Sequence, residues 1–137
     1  MRFLLLAALV SITACAREEA PVPGLAAGAY PGSGRDALCI AGQGGAQRAG
    51  LITYGADDAN CSVSGRLEAA REGWALIPAG DLDCKIPLRV DAGRVTVGQL
   101  PQACAYYCGP GASADGKSFG PVAQGKPATD LAGDPLC

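Results

Sequence analysis

The stretch CKIPLRV, residues 84–90, places an apolar side chain at every second position, with lysine, proline and arginine between them. This alternation puts the cysteine, isoleucine, leucine and valine on one face and the remaining side chains on the other. It is typical of a half-buried antiparallel strand, because one face packs on a core and the other meets water. Residues 61–67, CSVSGRL, repeat the pattern. The centre of the chain therefore has the period of a β-strand.

Four further apolar runs suit short strands, at residues 38–40, 50–54, 73–78 and 94–97. Clusters of aspartate, asparagine and glycine separate them, which is the usual chemistry of turns. Six short strands at near-regular spacing predict a mainly β fold: a small antiparallel β meander, forming an open barrel or a sandwich. Pro101 and Gly109 bracket the residues between them, and we predict one short helix from Pro101 to Cys108.

Composition divides the chain into four parts. Residues 1–14 join Arg2 to an apolar run that is too short to span a bilayer, as in a secretory signal peptide. Residues 15–34 and 121–137 are rich in alanine, proline and glycine, and we predict a flexible tether and a tail that buries little. The segment 35–120 lies between them and is the predicted β domain.

The apolar run ends in Ile12-Thr13-Ala14-Cys15, which resembles the lipobox of bacterial lipoproteins. The resemblance implies cleavage before Cys15, followed by acylation of its sulfur and of the new amino terminus with chains such as palmitate. Two or three acyl chains hold a protein on a membrane stably, whereas one gives marginal binding. In this class an aspartate after the cysteine retains the protein in the inner membrane. Ala16 therefore implies the outer membrane, with the domain facing the periplasm.

The remaining cysteines are even in number, which in a small exported domain predicts a disulfide framework; they are Cys39, Cys61, Cys84, Cys104, Cys108 and Cys137. Cys61 and Cys84 each begin an amphipathic strand on its apolar face, so we predict that they pair. Cys104 and Cys108 are four residues apart and are expected to take separate partners, one of them Cys39. Cys137 would join the tail to the remaining cysteine. A zinc site is disfavoured because no histidine is present to complete it.

The absence of histidine also excludes Ser-His-Asp and Cys-His catalysis. The formal net charge is −2, from 11 basic and 13 acidic residues, which gives no reason to expect steering toward nucleic acid or an anionic surface. We expect no cofactor.

The string GASADGKS, residues 111–118, matches the phosphate-binding loop pattern. It lacks the preceding strand and following helix that phosphate binding requires, so the match is read as coincidental. Asp81 and Asp83 lack the further oxygen ligands of a calcium loop.

Two classes of function remain open. We expect a lipid-anchored, non-enzymatic envelope module that binds a protein or cell-wall partner or plays a structural role, with the membrane contacted through the lipid. Small disulfide-stapled β-barrel lipoproteins that inhibit lysozyme are similar in architecture, although none of their inhibitory motifs is matched here. The alternative is a periplasmic hydrolase using Ser113 and Lys117. Tyr106 or Tyr107, if exposed, would be the best candidate for a contact surface.

Overall fold

A computed structural model describes residues 24–124 and 127–137. The signal peptide and the lipidation site predicted at Cys15 lie outside this part of the chain. The described residues form eight strands: β1 (Gly28–Pro31), β2 (Ala37–Ala41), β3 (Arg48–Tyr54), β4 (Asn60–Ala70), β5 (Gly73–Pro78), β6 (Ile86–Asp91), β7 (Arg94–Val97) and β8 (Ser118–Phe119). Among these residues, no helix combines the length and the apolar character that a membrane crossing demands.

Each strand pairs antiparallel with the next, so the spatial order follows the chain from β1 to β8. The two outer strands then approach each other: the Gly120 amide donates to the Pro31 carbonyl at 2.8 Å, and the Ala123 amide to the Ala29 carbonyl at 2.9 Å. These bonds bring the sheet close to a closed barrel. The predicted mainly β, antiparallel, disulfide-stapled meander is confirmed, but with eight strands in place of about six.

The two strands that were not predicted, β1 and β8, lie in segments rich in glycine, alanine and proline. β1 falls within the segment predicted as tether, and Tyr30 at its centre is buried. β8 is only two residues long and follows a glycine-rich loop. Both strands are too short to show an alternating pattern in the sequence. They form because neighbouring strands of the sheet, β2 and β7, provide their hydrogen-bond partners. The predicted boundary of the tether at residue 34 is therefore wrong, because folded structure is present from Leu25 onward.

The barrel interior is filled by side chains, as expected for eight strands. One apolar cluster contains the inward-facing residues, among them Leu38, Leu51, Val63, Leu76, Ile86, Val95 and Phe119. At one end, here called the entry end, the Leu25 amide donates to the buried Gln47 side chain at 3.1 Å. The other end, here called the capped end, carries the loop that joins β7 to β8. Ala114 of this loop is buried in the same cluster.

The predicted helix is present at the capped end as a 3-10 helix, Gln102–Tyr107, here called the cap helix. Pro101 immediately precedes it, consistent with the preference of proline for the start of a helix. Within the cap helix, the side chain of Cys104 is fully buried against the barrel, whereas Tyr106 is exposed to solvent. Helix was therefore predicted at the correct place, in a tighter form than the α-helix.

The disulfides are Cys39–Cys137, Cys61–Cys108 and Cys84–Cys104. The predicted Cys61–Cys84 bridge is wrong. These cysteines belong to β4 and to the residues before β6, and β5 lies between those strands. Two strand spacings amount to about 9–10 Å, which exceeds the Cα separation of about 7 Å that a disulfide tolerates. Cys104 and Cys108 do take separate partners, as predicted, but neither partner is Cys39.

The carboxyl-terminal segment covers the outer face of β2 and β3. The Cys39–Cys137 bridge holds it there, and the Leu136 amide donates to the Ala128 carbonyl at 3.0 Å. Ala128 is buried, and a side chain at Gly50 would collide with the backbone of Leu136. The segment predicted as a loose tail from residue 121 is thus packed against the sheet over its last residues.

Candidate functional site at the capped end of the barrel

The cap helix is fixed to the barrel at three points. Its buried Cys104 bonds to Cys84 ahead of β6, and Cys108, which follows it, bonds to Cys61 on β4. The third point is the hydroxyl of Tyr107, which donates to Asp81 Oδ2 at 3.1 Å. These links fasten the helix to two separate parts of the sheet. A side chain on its outer surface is therefore presented from a rigid support.

Asp81 has a structural role in this support. Its Oδ1 accepts the backbone N–H of Cys84 at 3.2 Å, while Oδ2 accepts the Tyr107 hydroxyl. Burial, and then the bond to Asp81, raise the pKa of Tyr107 above the ordinary value of 10.0. The phenol consequently remains a neutral donor at physiological pH, which is the form that this hydrogen bond requires.

Tyr106 is the most exposed aromatic residue described, with 90% of its surface open to solvent. Its ring meets the ring of Tyr107 edge to face, with the centroids 5.4 Å apart and the planes at 87°. Leu82, next to the Asp81 that binds Tyr107, is 64% exposed. Large apolar side chains at the surface of a rigid element are typical of protein contact sites. We call Leu82, Tyr106 and Tyr107 the contact surface.

Carboxylates dominate the loops of the capped end. Two of the acidic residues are neutralised, because Asp36 pairs with Lys117 and Asp58 with Arg35. The rest are Asp57, Asp81, Asp83 and Asp115. Among the described residues of these loops, only Lys85 offsets them. The contact surface therefore lies within a negative field, although the charge of the whole chain is close to neutral.

The structure places Ser113 and Lys117 on the same loop but gives them different partners. The Ser113 hydroxyl accepts the backbone N–H of Asp115 at 3.1 Å. Lys117 Nζ donates to Asp36 Oδ2 at 2.9 Å, and the side chain of Asp36 is only 4% exposed. A cavity of about 410 Å³ beside the cap helix is lined by Ser113 but not by Lys117. Both groups have roles in holding the loop, and the proposed dyad has no base directed at the serine hydroxyl.

Residues 111–118, which match the phosphate-binding loop pattern, form turns that lead into β8. Gly111 and Gly116 adopt positive φ in turns, and the chain continues from Lys117 into β8, with no helix to receive phosphates. In residues 24–124 and 127–137, no cluster of three or more acidic or cysteine side chains is arranged for a metal ion. Asp81 was considered as a calcium ligand from the sequence, but both of its carboxylate oxygens accept hydrogen bonds from protein donors.

Sequence reasoning identified the tyrosine pair but missed Leu82 and the concentration of acids. A single leucine between Asp81 and Asp83, outside any alternating pattern, was the available indication of an exposed apolar side chain. The segregation of charge could not be read from the sequence, because it depends on which loops the meander gathers at one end.

The three disulfides indicate an oxidising, non-cytoplasmic compartment. No family model, no curated protein and no solved structure matches this chain.

Proposed function

We propose that the protein is a lipid-anchored, non-enzymatic binding module of the bacterial cell envelope, and that its contact surface binds a basic protein. The observation that carries the proposal is Tyr106, which is 90% exposed on a helix that two disulfides fasten to the barrel. Tyrosine, with tryptophan and arginine, is enriched among the residues that contribute most of the binding energy at protein interfaces.

The rigidity of this support favours binding. The cap helix and the loop of Asp81 are joined covalently through Cys84–Cys104 and by the Tyr107 hydrogen bond. A surface already in its bound arrangement loses little conformational freedom when a partner docks. A flexible loop with the same residues would bind more weakly.

The charge of the capped end favours a basic partner. Asp57, Asp81, Asp83 and Asp115 lie on loops at the same end of the barrel as the contact surface and attract cations, which speeds association and favours partners of opposite charge. Lysozyme is a cationic protein, and the architecture expected from the sequence is similar to that of the small β-barrel lipoproteins that inhibit it. It is therefore the first partner to test.

The lipid anchor and the outer-membrane location rest on the sequence Ile12-Thr13-Ala14-Cys15 and the apolar run before it. Replacing Cys15 by serine should abolish acyl labelling and leave the precursor uncleaved. Normal processing of this variant would contradict the anchor. The non-enzymatic assignment is supported by the lack of histidine and by the structural partners of Ser113 and Lys117.

The binding proposal is tested with the chain from residue 16 onward, exported through a separate cleavable signal peptide. All eight strands and three disulfides belong to this part of the chain. Its affinity for lysozyme is measured by calorimetry in low and high salt. We expect Tyr106→Ala to weaken binding at least tenfold, because a tyrosine hot spot contributes about 2 kcal/mol or more. We expect added salt to weaken binding as well.

A matched pair of leucines supplies the control. Leu82 and Leu131 are 64% and 66% exposed, and Leu131 lies on the carboxyl-terminal segment, which is attached to β2 and β3 and not to the cap helix. Leu82→Ala should weaken binding, whereas Leu131→Ala should have no effect. Equal effects of the two substitutions would contradict the assigned surface. Absence of any binding to lysozyme or to poly-lysine would overturn the basic partner.

A further inference from the structure

The entry end of the barrel has the opposite charge to the capped end. Five arginines lie on its strand ends and hairpins: Arg48, Arg66, Arg71, Arg89 and Arg94. They face three carboxylates, those of Glu68, Glu72 and Asp91. Arg66 pairs with Glu68 at 2.6 Å, and Arg89 approaches Glu72 at 3.6 Å. Within the described residues, Arg48 and Arg71 form no ion pair, so this end carries a surplus of positive charge.

Two of these arginines are directly opposed across the sheet. Arg48 on β3 is the register partner of Arg66 on β4, and both side chains are exposed on the outer face. Like charges directly opposite each other destabilise a sheet. An anionic surface lying against this end would remove that repulsion and would also reach Arg71 at the tip of the β4–β5 hairpin.

An apolar cleft opens beside these arginines. Its volume is about 580 Å³, and Leu25, Trp74 and Val90 form its apolar lining. Arg89 and the carboxylates of Glu72 and Asp91 also line it, and Arg89 approaches Glu72. Val90 is 41% exposed, although it continues the inward-facing row of β6. An aromatic and aliphatic cleft on an end where arginines outnumber carboxylates matches the boundary between lipid headgroups and acyl chains, where charged and apolar groups meet.

The chain enters the barrel at this same end, since Gly24 and Leu25 line the cleft. Gly24 lies nine positions after Cys15, a span of at most about 30 Å when fully extended. We propose that the entry end docks on a bilayer surface rich in anionic phospholipid. The anchored module then stands upright, with Tyr106 and the acidic loops directed away from the membrane. This orientation rests on the lipid anchor, which is part of the proposed function. The docking itself requires only the arginines of the entry end.

The test uses the non-acylated chain from residue 16, sedimented with vesicles of equal phosphatidylglycerol and phosphatidylcholine, or with phosphatidylcholine alone. We expect binding to the anionic vesicles only. Each arginine at an anionic surface contributes about fivefold to partition, so Arg48→Gln with Arg71→Gln should lower binding about 25-fold. Arg35→Gln with Lys85→Gln changes the net charge equally at the capped end, and should leave vesicle binding unchanged.

Trp74 reports the orientation, because it is the only tryptophan of the chain and lies in the cleft. With the acylated protein on anionic vesicles, lipids spin-labelled at the headgroup should quench its fluorescence, and less so in the Arg48→Gln, Arg71→Gln variant. Equal loss of sedimentation in the two charge variants, equal binding to neutral vesicles, or an unquenched Trp74 would overturn the docking.

The two proposals fail separately. The Arg48→Gln, Arg71→Gln variant should bind lysozyme as the unchanged chain does, because its substitutions lie at the opposite end from Tyr106. Loss of vesicle binding with lysozyme binding retained supports the docking. Retention of vesicle binding in a chain that binds no basic protein would leave the docking standing and contradict the proposed function.

Discussion

Lys117 Nζ lies 2.9 Å from the Oδ2 of Asp36, across a separation of 81 residues. The Asp36 side chain is 4% exposed, while that of Lys117 is 34% exposed. Asp36 also accepts the backbone N–H of Tyr54 at 2.8 Å through its other oxygen. The pair therefore joins the β1–β2 turn, the end of β3 and the loop before β8, near the seam where the barrel closes.

The unequal burial of this pair predicts unequal effects of removing either partner. Lys117→Met should lower the free energy of unfolding by about 1–3 kcal/mol, because it leaves a buried carboxylate with only the Tyr54 amide. Asp36→Asn should cost less, since Lys117 reaches water and asparagine still accepts that amide. Urea unfolding measures both. The double variant should recover part of the loss, and a larger cost for Asp36→Asn would contradict this account.

The raised pKa values of Tyr30 and Tyr107 predict a loss of stability in alkaline solution. Burial is the main cause in both, and the bond to Asp81 adds to it in Tyr107. A tyrosine pKa that is higher in the folded state than the unfolded value of 10.0 favours the neutral phenol. The stability it provides is present below about pH 10 and is lost as the pH rises through the folded pKa.

Tyr107→Phe should therefore reduce the fall in melting temperature between about pH 8 and about pH 11. At neutral pH the same change should cost about 1 kcal/mol through the lost hydrogen bond. Part of the alkaline fall should persist because Tyr30 is unchanged. Tyr106→Phe is the control: that side chain is exposed and is the smallest contributor to the raised pKa of Tyr107, so the profile should change much less. A steeper alkaline fall in Tyr107→Phe would refute the role given to Tyr107.

The alternation of β4 and β6 was enough to predict the sheet, because a period of two reflects local geometry alone. Alternation is absent from β3, where residues 49–53 are all buried, and that strand was predicted from its apolar run alone. Gly50 and Ile52 face outward but are covered from outside, Gly50 by Leu136 of the carboxyl-terminal segment. A strand buried on both faces has no polar alternation, and what covers it lies far away in the sequence.

The site was predictable to the same limited extent. The tyrosine pair was evident, since two adjacent aromatics beside a short helix leave one of them facing outward. The cysteine partners and the separation of charge between the two ends were not evident. Both depend on the order of strands around the barrel, which determines that Cys61 and Cys84 are two strands apart and that the aspartates share one end.

The β6–β7 hairpin contains an avoidable strain. Its two central residues both have positive φ, 48° at Ala92 and 78° at Gly93, as a type I′ turn requires. Glycine adopts this conformation freely, whereas it costs alanine about 1–2 kcal/mol of conformational energy. Ala92→Asn should raise the free energy of unfolding by about 1 kcal/mol, because asparagine tolerates the left-handed region. Scanning calorimetry should show a higher melting temperature. Ala46→Asn, at an exposed site without positive φ, should bring no gain, and an equal gain there would contradict the turn argument.

The three disulfides should be reduced in the order of their exposure. Thiol–disulfide exchange requires a thiolate to reach a sulfur atom, so access governs the rate. Cys137 is exposed although its partner Cys39 is buried, whereas Cys84 and Cys104 are both fully buried. Cys39–Cys137 should open first under graded reductant, Cys61–Cys108 next and Cys84–Cys104 last.

Alkylation of freed thiols followed by peptide mass spectrometry measures this order directly. Opening Cys39–Cys137 releases the segment that covers Gly50, so protease sensitivity after residue 127 should rise in the same step. The chain-entropy relation gives about 3–5 kcal/mol for a loop of this length, so Cys137→Ala should lower the midpoint of urea unfolding clearly. Leu136→Ala, which keeps the bridge, should have a smaller effect. Reduction of Cys84–Cys104 before Cys39–Cys137 would show that the buried bridge is accessible, against the burial described for the cap helix.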